Sequence, residues 1–384
     1  MIDESEFDLR QLTELVKLAT AQIDGLDVVA PEKIPHFQNA LPHAMEKGAF
    51  KLVLHNLQGD TAGAPVSASP LDVIKRGLRG ALKIEFATIP LYLTALWSII
   101  DQAHPVAKSI RAVAHEEMLH LSLLCNLLSA LGDRPVLTGS IVPRFPSRLP
   151  GGVHQELELR LEGYGPSALQ TFMEIERPEK PIPIIDEPPE DFPEEDTTIG
   201  EFYQAILEAL KRLNPPLDPK RQIAGPFTWL VMTKLDQVEE AITLIMAQGE
   251  GARGAPFSRY PRYLSHYYRF KSLAMLRELH WDERASSLRK GPAISPPPVF
   301  TLAPASPNGY GSAAPRALRI ANDCFEESYS KMLRLLEASW LEGGDKSFIG
   351  AMELMFELGT HAQTMMRIGT PDGRGYCPCF GYRP

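Results

Sequence analysis

The segment Glu116-Glu117-Met118-Leu119-His120 holds the residue types best suited to chemistry. Glu117 and His120 are three positions apart in a stretch of helical apolar periodicity, so they share one helix face about one turn apart. A carboxylate and an imidazole placed in this way can bind one metal ion together, as in carboxylate-bridged di-metal helical bundles. The same face carries apolar residues: Ile110, Val113, Leu121 and Leu124. A carboxylate that faces a core needs a partner or a metal.

A second carboxylate lies in the middle of the preceding apolar helix. Residues 70–101 are typical of one helix, and Glu85 shares its apolar face. A short connection near residues 102–106 predicts that this helix pairs antiparallel with the next one, at 106–131. Glu85 and Glu117 would then converge. Alternatively, Glu85 pairs with a core Arg or Lys, or lies at the edge of its face.

The rest of the chain predicts a mainly α protein, a helical bundle with long Pro-rich insertions and a short strand element. We divide it into an N-terminal helical extension, residues 1–65, and a helical domain, residues 66–384. Further helices are predicted at 6–24, 167–176, 197–213, 229–248, 259–279, 316–341 and 345–367, and residues 31–58 contain a shorter helical stretch with Pro interruptions. Strict alternation predicts a strand at 156–161. The segments 177–196 and 290–315 are rich in Pro, and the first could form a lid.

Two metal ions need roughly four carboxylates and two imidazoles, and the first two helices supply three groups. We predict Glu201, Glu250 and His266 as the remaining ligands. Glu250 lies between two glycines at a helix end, and His266 begins a later helix, so a short return could bring them together. Glu239 is the competing ligand on the same helix as Glu250, and Glu176 is a further candidate of lower rank.

Each of these residues also has a structural interpretation. Glu201 could only complement a helix N-terminus, Glu250 could be a solvated turn residue, and His266 could be a core histidine. His115 and Glu116 are candidates for groups that orient the ligands. Three tyrosines are candidate catalytic donors of a proton or hydrogen bond: Tyr92, Tyr203 and Tyr267.

Composition is that of a globular protein and sets limits on partners. The 384 residues are 44% hydrophobic and 23% charged, with a formal net charge of −9, so we expect no nucleic-acid partner. The longest apolar run, 89–100, is too short to span a membrane, and the acidic N-terminus predicts no secretory signal. Four cysteines predict plain thiols and a cytoplasmic protein, although Cys377-Pro-Cys379 could bind metal or oxidise.

Several segments together resemble one family. Glu85-Phe-Ala-Thr-Ile-Pro-Leu-Tyr-Leu93 and Glu116-Glu-Met-Leu-His120 are similar to the ferritin-like domain named after iminophenyl-pyruvate dimer synthase, an enzyme of violacein-type bisindole biosynthesis. The likeness continues through Thr198-Ile-Gly-Glu-Phe-Tyr203, Gln248-Gly-Glu-Gly251 and His266-Tyr-Tyr-Arg-Phe270. It implies a ferritin-like bundle with a metal centre, and the named enzyme oxidatively couples an imine of an aromatic 2-oxo acid. The first 65 residues lie outside the resemblance.

The sequence thus predicts a non-haem di-metal oxidoreductase whose metal ions activate dioxygen or take electrons from a small organic substrate. The resemblance implies that this substrate is amino-acid-derived and belongs to secondary metabolism. Two iron ions are the expected cofactor, and carboxylate and imidazole ligands also suit Mn or Zn. A homo-oligomer is compatible with the sequence. Two other interpretations stay open: a redox-silent metal-dependent hydrolase or isomerase, and a non-catalytic helical partner protein.

Overall fold

The structure is a computed structural model that describes residues 69–149, 154, 156–188, 198–224, 230–251, 256, 263–342 and 345–384. Within these residues the chain forms eight α-helices and two small antiparallel sheets. The helix predicted at 6–24, the shorter helical stretch predicted within 31–58 and the domain boundary at residue 65 lie outside the described residues.

The first two helices form an antiparallel pair. Helix α1 (Pro70–Ser98) begins with a capping box, in which Ser69 and Asp72 each accept from the other's backbone N–H, and Pro70 occupies its first turn. Helix α2 (Pro105–Ala130) follows a short loop and packs along α1. An ion pair between Arg79 near the start of α1 and Asp133 beyond the end of α2 fixes the antiparallel direction. The predicted spans and pairing of these two helices are therefore confirmed.

A second pair of helices completes a four-helix bundle. Helix α4 (Ile199–Leu213) packs against α5 (Leu235–Gly249), and these two pack in turn against α1 and α2. The apolar faces of all four helices meet in one continuous core. This closed arrangement is what brings mid-helix side chains from different parts of the chain to one place.

Shorter elements close one side of the bundle. Helix α3 (Pro166–Ile175) packs against α6 (His266–Met275), and α6 also contacts α2 and α5. An antiparallel hairpin of β3 (Arg277–Asp282) and β4 (Ser287–Ala293) follows α6 directly. The other sheet pairs β1 (Ser147–Arg148) with β2 (Glu158–Leu159).

The C-terminal part is a helical hairpin. Helix α7 (Arg316–Glu342) and helix α8 (Asp345–Arg367) pack along each other, and α8 also contacts α1. Trp340 of α7 donates from its indole nitrogen to the buried Asn126 of α2 at 2.8 Å. This hydrogen bond joins the helical hairpin to the bundle, in addition to the packing contacts between them.

Two predicted boundaries needed correction. The helix predicted at 259–279 ends at Met275, because Leu276 adopts a left-handed conformation and Arg277 begins a strand. The helix predicted at 229–248 begins only at Leu235. The sequence does not predict the β3–β4 hairpin, because residues 277–279 fall within the predicted helix and residues 290–293 within a Pro-rich segment. The predicted strand at 156–161 is confirmed, although only Glu158–Leu159 are paired.

Hydrogen bonds join the described part of the Pro-rich segment 177–196 to the β3–β4 hairpin and to α6. Ile185 N donates to Leu288 O at 2.8 Å, Leu288 N donates to Pro183 O at 2.9 Å, and Ile182 N donates to the Tyr268 hydroxyl at 2.6 Å. Among the described residues, no helix is long and apolar enough to cross a membrane.

Candidate metal centre

Two overlapping groups of buried ligand atoms lie inside the bundle. The first consists of Glu85, Glu117 and His120, and the second of Glu117, Glu176 and His266. In each group the candidate ligand atoms lie within 4.8 Å of one another. Glu117 belongs to both groups, so its carboxylate lies between two imidazoles. This is the arrangement expected of two adjacent metal positions with one shared carboxylate.

The hydrogen bond of His120 directs its other ring nitrogen toward the carboxylates. Its Nε2 lies 2.8 Å from Gln248 Oε1, which can only accept, so Nε2 carries the proton. Its Nδ1 faces the carboxylates, 3.2 Å from Glu85 Oε2 and 3.8 Å from Glu117 Oε1. Burial lowers the pKa of His120, but the hydrogen bond to Glu85 and the charges of Glu85 and Glu117 outweigh it and raise the pKa, so the metal-free protein favours a proton on Nδ1. A metal ion would replace the Nδ1 proton, and the hydrogen bond at Nε2 already holds the ring in the orientation that binds through Nδ1.

His266 is oriented in the same way by a different partner. Its Nε2 lies 2.7 Å from Glu116 Oε2, and Arg269 holds that carboxylate with a 3.0 Å ion pair. Its Nδ1 lies 2.8 Å from Glu117 Oε1 and 3.5 Å from Glu176 Oε1. Although the first distance is short, Nδ1 has no hydrogen bond. A fully buried ring nitrogen with no hydrogen bond, facing two carboxylates, is what a metal ligand would leave behind.

Hydroxyl groups hold the three carboxylates. Tyr203 OH donates a short hydrogen bond to Glu85 Oε1, and Tyr92 OH donates to Glu176 Oε1 at 2.6 Å. Thr88 Oγ1 lies 2.9 Å from Glu117 Oε2. Each carboxylate therefore has one fixed oxygen and one oxygen available to a second partner.

Burial and the mutual repulsion of the carboxylates make the binding of a cation at this site electrostatically favourable. Burial, together with the nearby charges of Glu176 and Glu85, raises the pKa of Glu117 to about 8. Burial also tends to raise the pKa of Glu85, but the hydrogen bond and charge of His120 outweigh it, so the pKa is lowered. Burial disfavours charged His266, yet the carboxylates around it raise its pKa well above the usual value. Without a metal, the protein must hold protons here, and a divalent cation would replace them.

We expect Glu117→Gln to stabilise the metal-free protein increasingly as pH rises from about 5 to about 8. The Glu117 pKa is about 8 in the folded state against an ordinary 4.5, so the stability that its proton contributes is complete below pH 4.5 and is lost as pH rises through 8. Gln does not titrate, so the difference in free energy of unfolding should grow by up to about 1.4 kcal/mol per pH unit. Urea unfolding with a chelator measures this. A difference that stays constant across the window would contradict it.

A small cavity of about 20 Å³ adjoins the two groups, enough for about one water-sized molecule. Its wall includes Glu85, Glu117, His120, Glu176 and, at the edge, the half-buried Glu250.

Glu250 is held at the cavity wall by the start of α4. Its Oε1 accepts from Gly200 N at 2.5 Å and its Oε2 accepts from Thr198 Oγ1 at 3.3 Å. Burial is the main reason that its pKa is raised to about 8. A Cβ at Gly200 would lie 2.5 Å from Glu250 Oε2, and one at Gly249 would lie 3.0 Å from Glu176 Oε2. Because glycine has no Cβ, the Glu250 carboxylate can lie close to the backbone at Gly200, and the Glu176 carboxylate can lie close to the backbone at Gly249.

The structure brings some predicted ligands together and not others. Glu85, Glu117, His120 and His266 meet in the two groups, and Glu250 lines the adjoining cavity without joining either group. Glu201 instead completes the capping box of α4, where its carboxylate accepts from Thr198 N at 3.2 Å. Its role as a helix-terminus residue was the alternative noted for it.

The structure also shows the positions of Glu239 and of the three candidate tyrosines. Glu239 is half exposed and pairs with Lys211 at 2.5 Å, on the outside of the bundle. Tyr92 and Tyr203 contact the site, whereas Tyr267 packs at 4.9 Å against Tyr268 in a separate apolar cluster next to the hairpin. The predicted placement of Tyr267 near the pocket therefore needs correction, because its side chain is buried in this separate cluster.

Two contributors were underrated or missed in the sequence. Glu176 lies at the C-terminal end of the short α3, directly before Arg177-Pro178, and no second candidate ligand on this helix marks it in the sequence. Gln248 was not considered, because an amide is not a metal ligand of this class. The signal for it was its position two residues before Glu250, at the end of the helix that faces α2.

Glutamates and histidines that converge from different helices in the interior of a helical bundle are the architecture of ferritin-like proteins. Here α1 and α2 of the bundle supply Glu85, Glu117 and His120, and the adjoining α3 and α6 bring Glu176 and His266. The Ferritin-like family profile matches residues 78–275, more than half of the chain, and the protein belongs to this family. The matched region contains both groups of candidate ligands.

A solved structure supports the fold independently. The crystal structure of a ferritin-like protein from Caulobacter vibrioides at 1.95 Å resolution superposes with a TM-score of 0.59 at 22% sequence identity, covering 83% of this chain and 100% of that one. This likeness shows the mostly helical, ferritin-like fold alone. No curated protein matches the chain.

Proposed function

We propose that this protein binds two metal ions, iron in its working form, and catalyses the oxidation of a small organic substrate. The observation that carries the proposal is the sharing of Glu117 between two buried carboxylate–imidazole groups. We propose Glu85 and His120 as ligands of one ion, Glu176 and His266 as ligands of the other, and Glu117 as the bridge. Iron or manganese suits such an oxygen-rich donor set with imidazole, and Zn fits less specifically.

Glu250 is proposed as the carboxylate that completes the donor set. It lines the same cavity and would reach the ions by turning away from Gly200 N and Thr198 Oγ1, its present partners. The cavity has room for about one molecule of the size of water.

A pair of redox-active ions would supply dioxygen activation or electron acceptance, and the protein residues would fix the geometry. The hydroxyls of Tyr203 and Tyr92 keep their protons, because burial and the adjacent carboxylates raise both pKa values well above the usual one. They serve as hydrogen-bond donors that orient Glu85 and Glu176. The buried core around them excludes water from the reacting atoms.

The substrate class follows from the sequence resemblance. We propose an amino-acid-derived molecule such as an aromatic 2-imino acid, processed in secondary metabolism by a cytoplasmic enzyme. The ferritin-like family as a whole does not fix the substrate, since one fold hosts many chemistries.

Metal analysis combined with oxygen uptake tests this function. Protein purified without chelators should contain about two iron ions per chain, and anaerobically reduced protein should consume dioxygen when it is admitted. Glu239→Gln, at the surface pair with Lys211, is the matched control and should behave like the wild type. Stoichiometric zinc without oxygen uptake would support the redox-silent hydrolase or isomerase instead, and protein that binds no metal would support a non-catalytic partner.

A further inference from the structure

The two halves of the metal centre are alike in most respects. Each half has one terminal carboxylate that accepts from a tyrosine hydroxyl, Glu85 from Tyr203 and Glu176 from Tyr92. Each has one histidine whose Nδ1 faces the shared Glu117. The two imidazole rings are stacked, with centroids 5.6 Å apart and planes 23° apart.

The halves differ in the group that accepts the imidazole Nε2 proton. His120 donates to the neutral amide of Gln248 at 2.8 Å. His266 donates to the carboxylate of Glu116 at 2.7 Å, and Arg269 forms a 3.0 Å ion pair with this carboxylate. Arg269 is itself fixed, since its Nε donates to Leu264 O at 2.6 Å.

This difference alters the donor strength of the two imidazoles. An imidazole that donates to a carboxylate gains basicity and binds a cation more strongly than one that donates to an amide. The Arg269 charge offsets part of the long-range field of Glu116, but it does not remove the short hydrogen bond that polarises the ring.

We infer that the two metal positions are unequal, and that the position formed by Glu176 and His266 binds a divalent cation more tightly than the position formed by Glu85 and His120. The inference rests on the proposed two-metal function. Glu116 and Gln248 act as positioning residues that set this order through the histidines, so metal loading proceeds stepwise, first at His266.

Single-position variants separate the two affinities. His120→Ala leaves the His266 position, and His266→Ala leaves the His120 position. Free Mn²⁺, followed by its electron paramagnetic resonance signal during anaerobic titration at pH 7, reports binding without any activity assay. The His120→Ala protein should bind Mn²⁺ about 10-fold or more tightly than the His266→Ala protein. Equal affinities would overturn the inference.

Changes at the two positioning residues test the cause. Glu116→Gln should weaken Mn²⁺ binding about 10–100-fold in the His120→Ala background and leave binding in the His266→Ala background unchanged. Gln248→Glu should strengthen binding in the His266→Ala background, and it does not disturb the Glu116–Arg269 pair. Equal weakening of both positions by Glu116→Gln, or no gain from Gln248→Glu, would contradict the assignment.

The wild-type titration separates this inference from the proposed function. If Mn²⁺ binds in two steps of different affinity, the result supports both the two-metal function and the unequal positions. Two equivalent Mn²⁺ ions overturn the unequal positions and leave the two-metal site standing. No bound Mn²⁺ overturns both.

Discussion

Replacement of Glu117 by Gln is expected to remove both metal ions at once. The Glu117 carboxylate belongs to both candidate ligand groups, so the loss of its charge affects each position, whereas loss of any other ligand affects mainly one. The amide keeps the size of the side chain and can still pair with Thr88, so the fold should survive. We expect affinity for both ions to fall more than 100-fold, beyond the roughly 10–100-fold typical of residues that only support a ligand. Metal content by mass spectrometry of the purified variant gives the result.

Glu239→Gln provides the comparison, since it makes the same chemical change on the same bundle at an exposed pair with Lys211. It should retain both ions. If Glu117→Gln folds and still holds two ions, Glu117 does not bridge them.

Glu176→Gln and Glu201→Gln are expected to differ sharply, although both residues were candidates. Glu176 is buried and lies 3.5 Å from His266 Nδ1, so its amide variant should lose the ion at the His266 position. Glu201 is in the capping box of α4. Gln can also serve in a capping box, so Glu201→Gln should keep both ions and lose only the interaction of its charge with the helix dipole, about 0.3–1 kcal/mol.

Metal stoichiometry and thermal unfolding of the two variants, measured side by side, decide this point. Loss of one ion from Glu201→Gln with full occupancy in Glu176→Gln would reverse the assignment of the two residues. The unfolding measurement shows whether either variant has merely lost its fold.

The helical core of the site could be predicted from the sequence because its pattern is local. Glu85 and Glu117 stand in the middle of long apolar helices joined by a short loop, and these features determine both the antiparallel pairing and the convergence. His120 follows from helical spacing alone. His266 was predicted from its place at the start of a helix, and the structure brings it to the same centre.

The positions of the other candidate residues depend on contacts between distant segments, which produce no local sequence pattern. Glu176 reaches the centre because α3 packs on α6, an association between segments about 100 residues apart that no periodicity encodes. Glu201 looks equally suitable as a ligand or a cap in the sequence, and only the placement of α4 distinguishes the two. Tyr267 adjoins His266 in sequence, but successive residues of a helix point in different directions. The same geometry sends Tyr267 to the apolar cluster next to the hairpin.

The most direct test of the central claim is a crystal structure of the iron-loaded protein with anomalous diffraction data collected on both sides of the iron absorption edge. The two-metal account predicts two iron peaks about 3.5–4 Å apart. One should contact Glu85 and His120 Nδ1, the other Glu176 and His266 Nδ1, with Glu117 between them. A single peak, or iron bound only away from Glu117, would contradict the account.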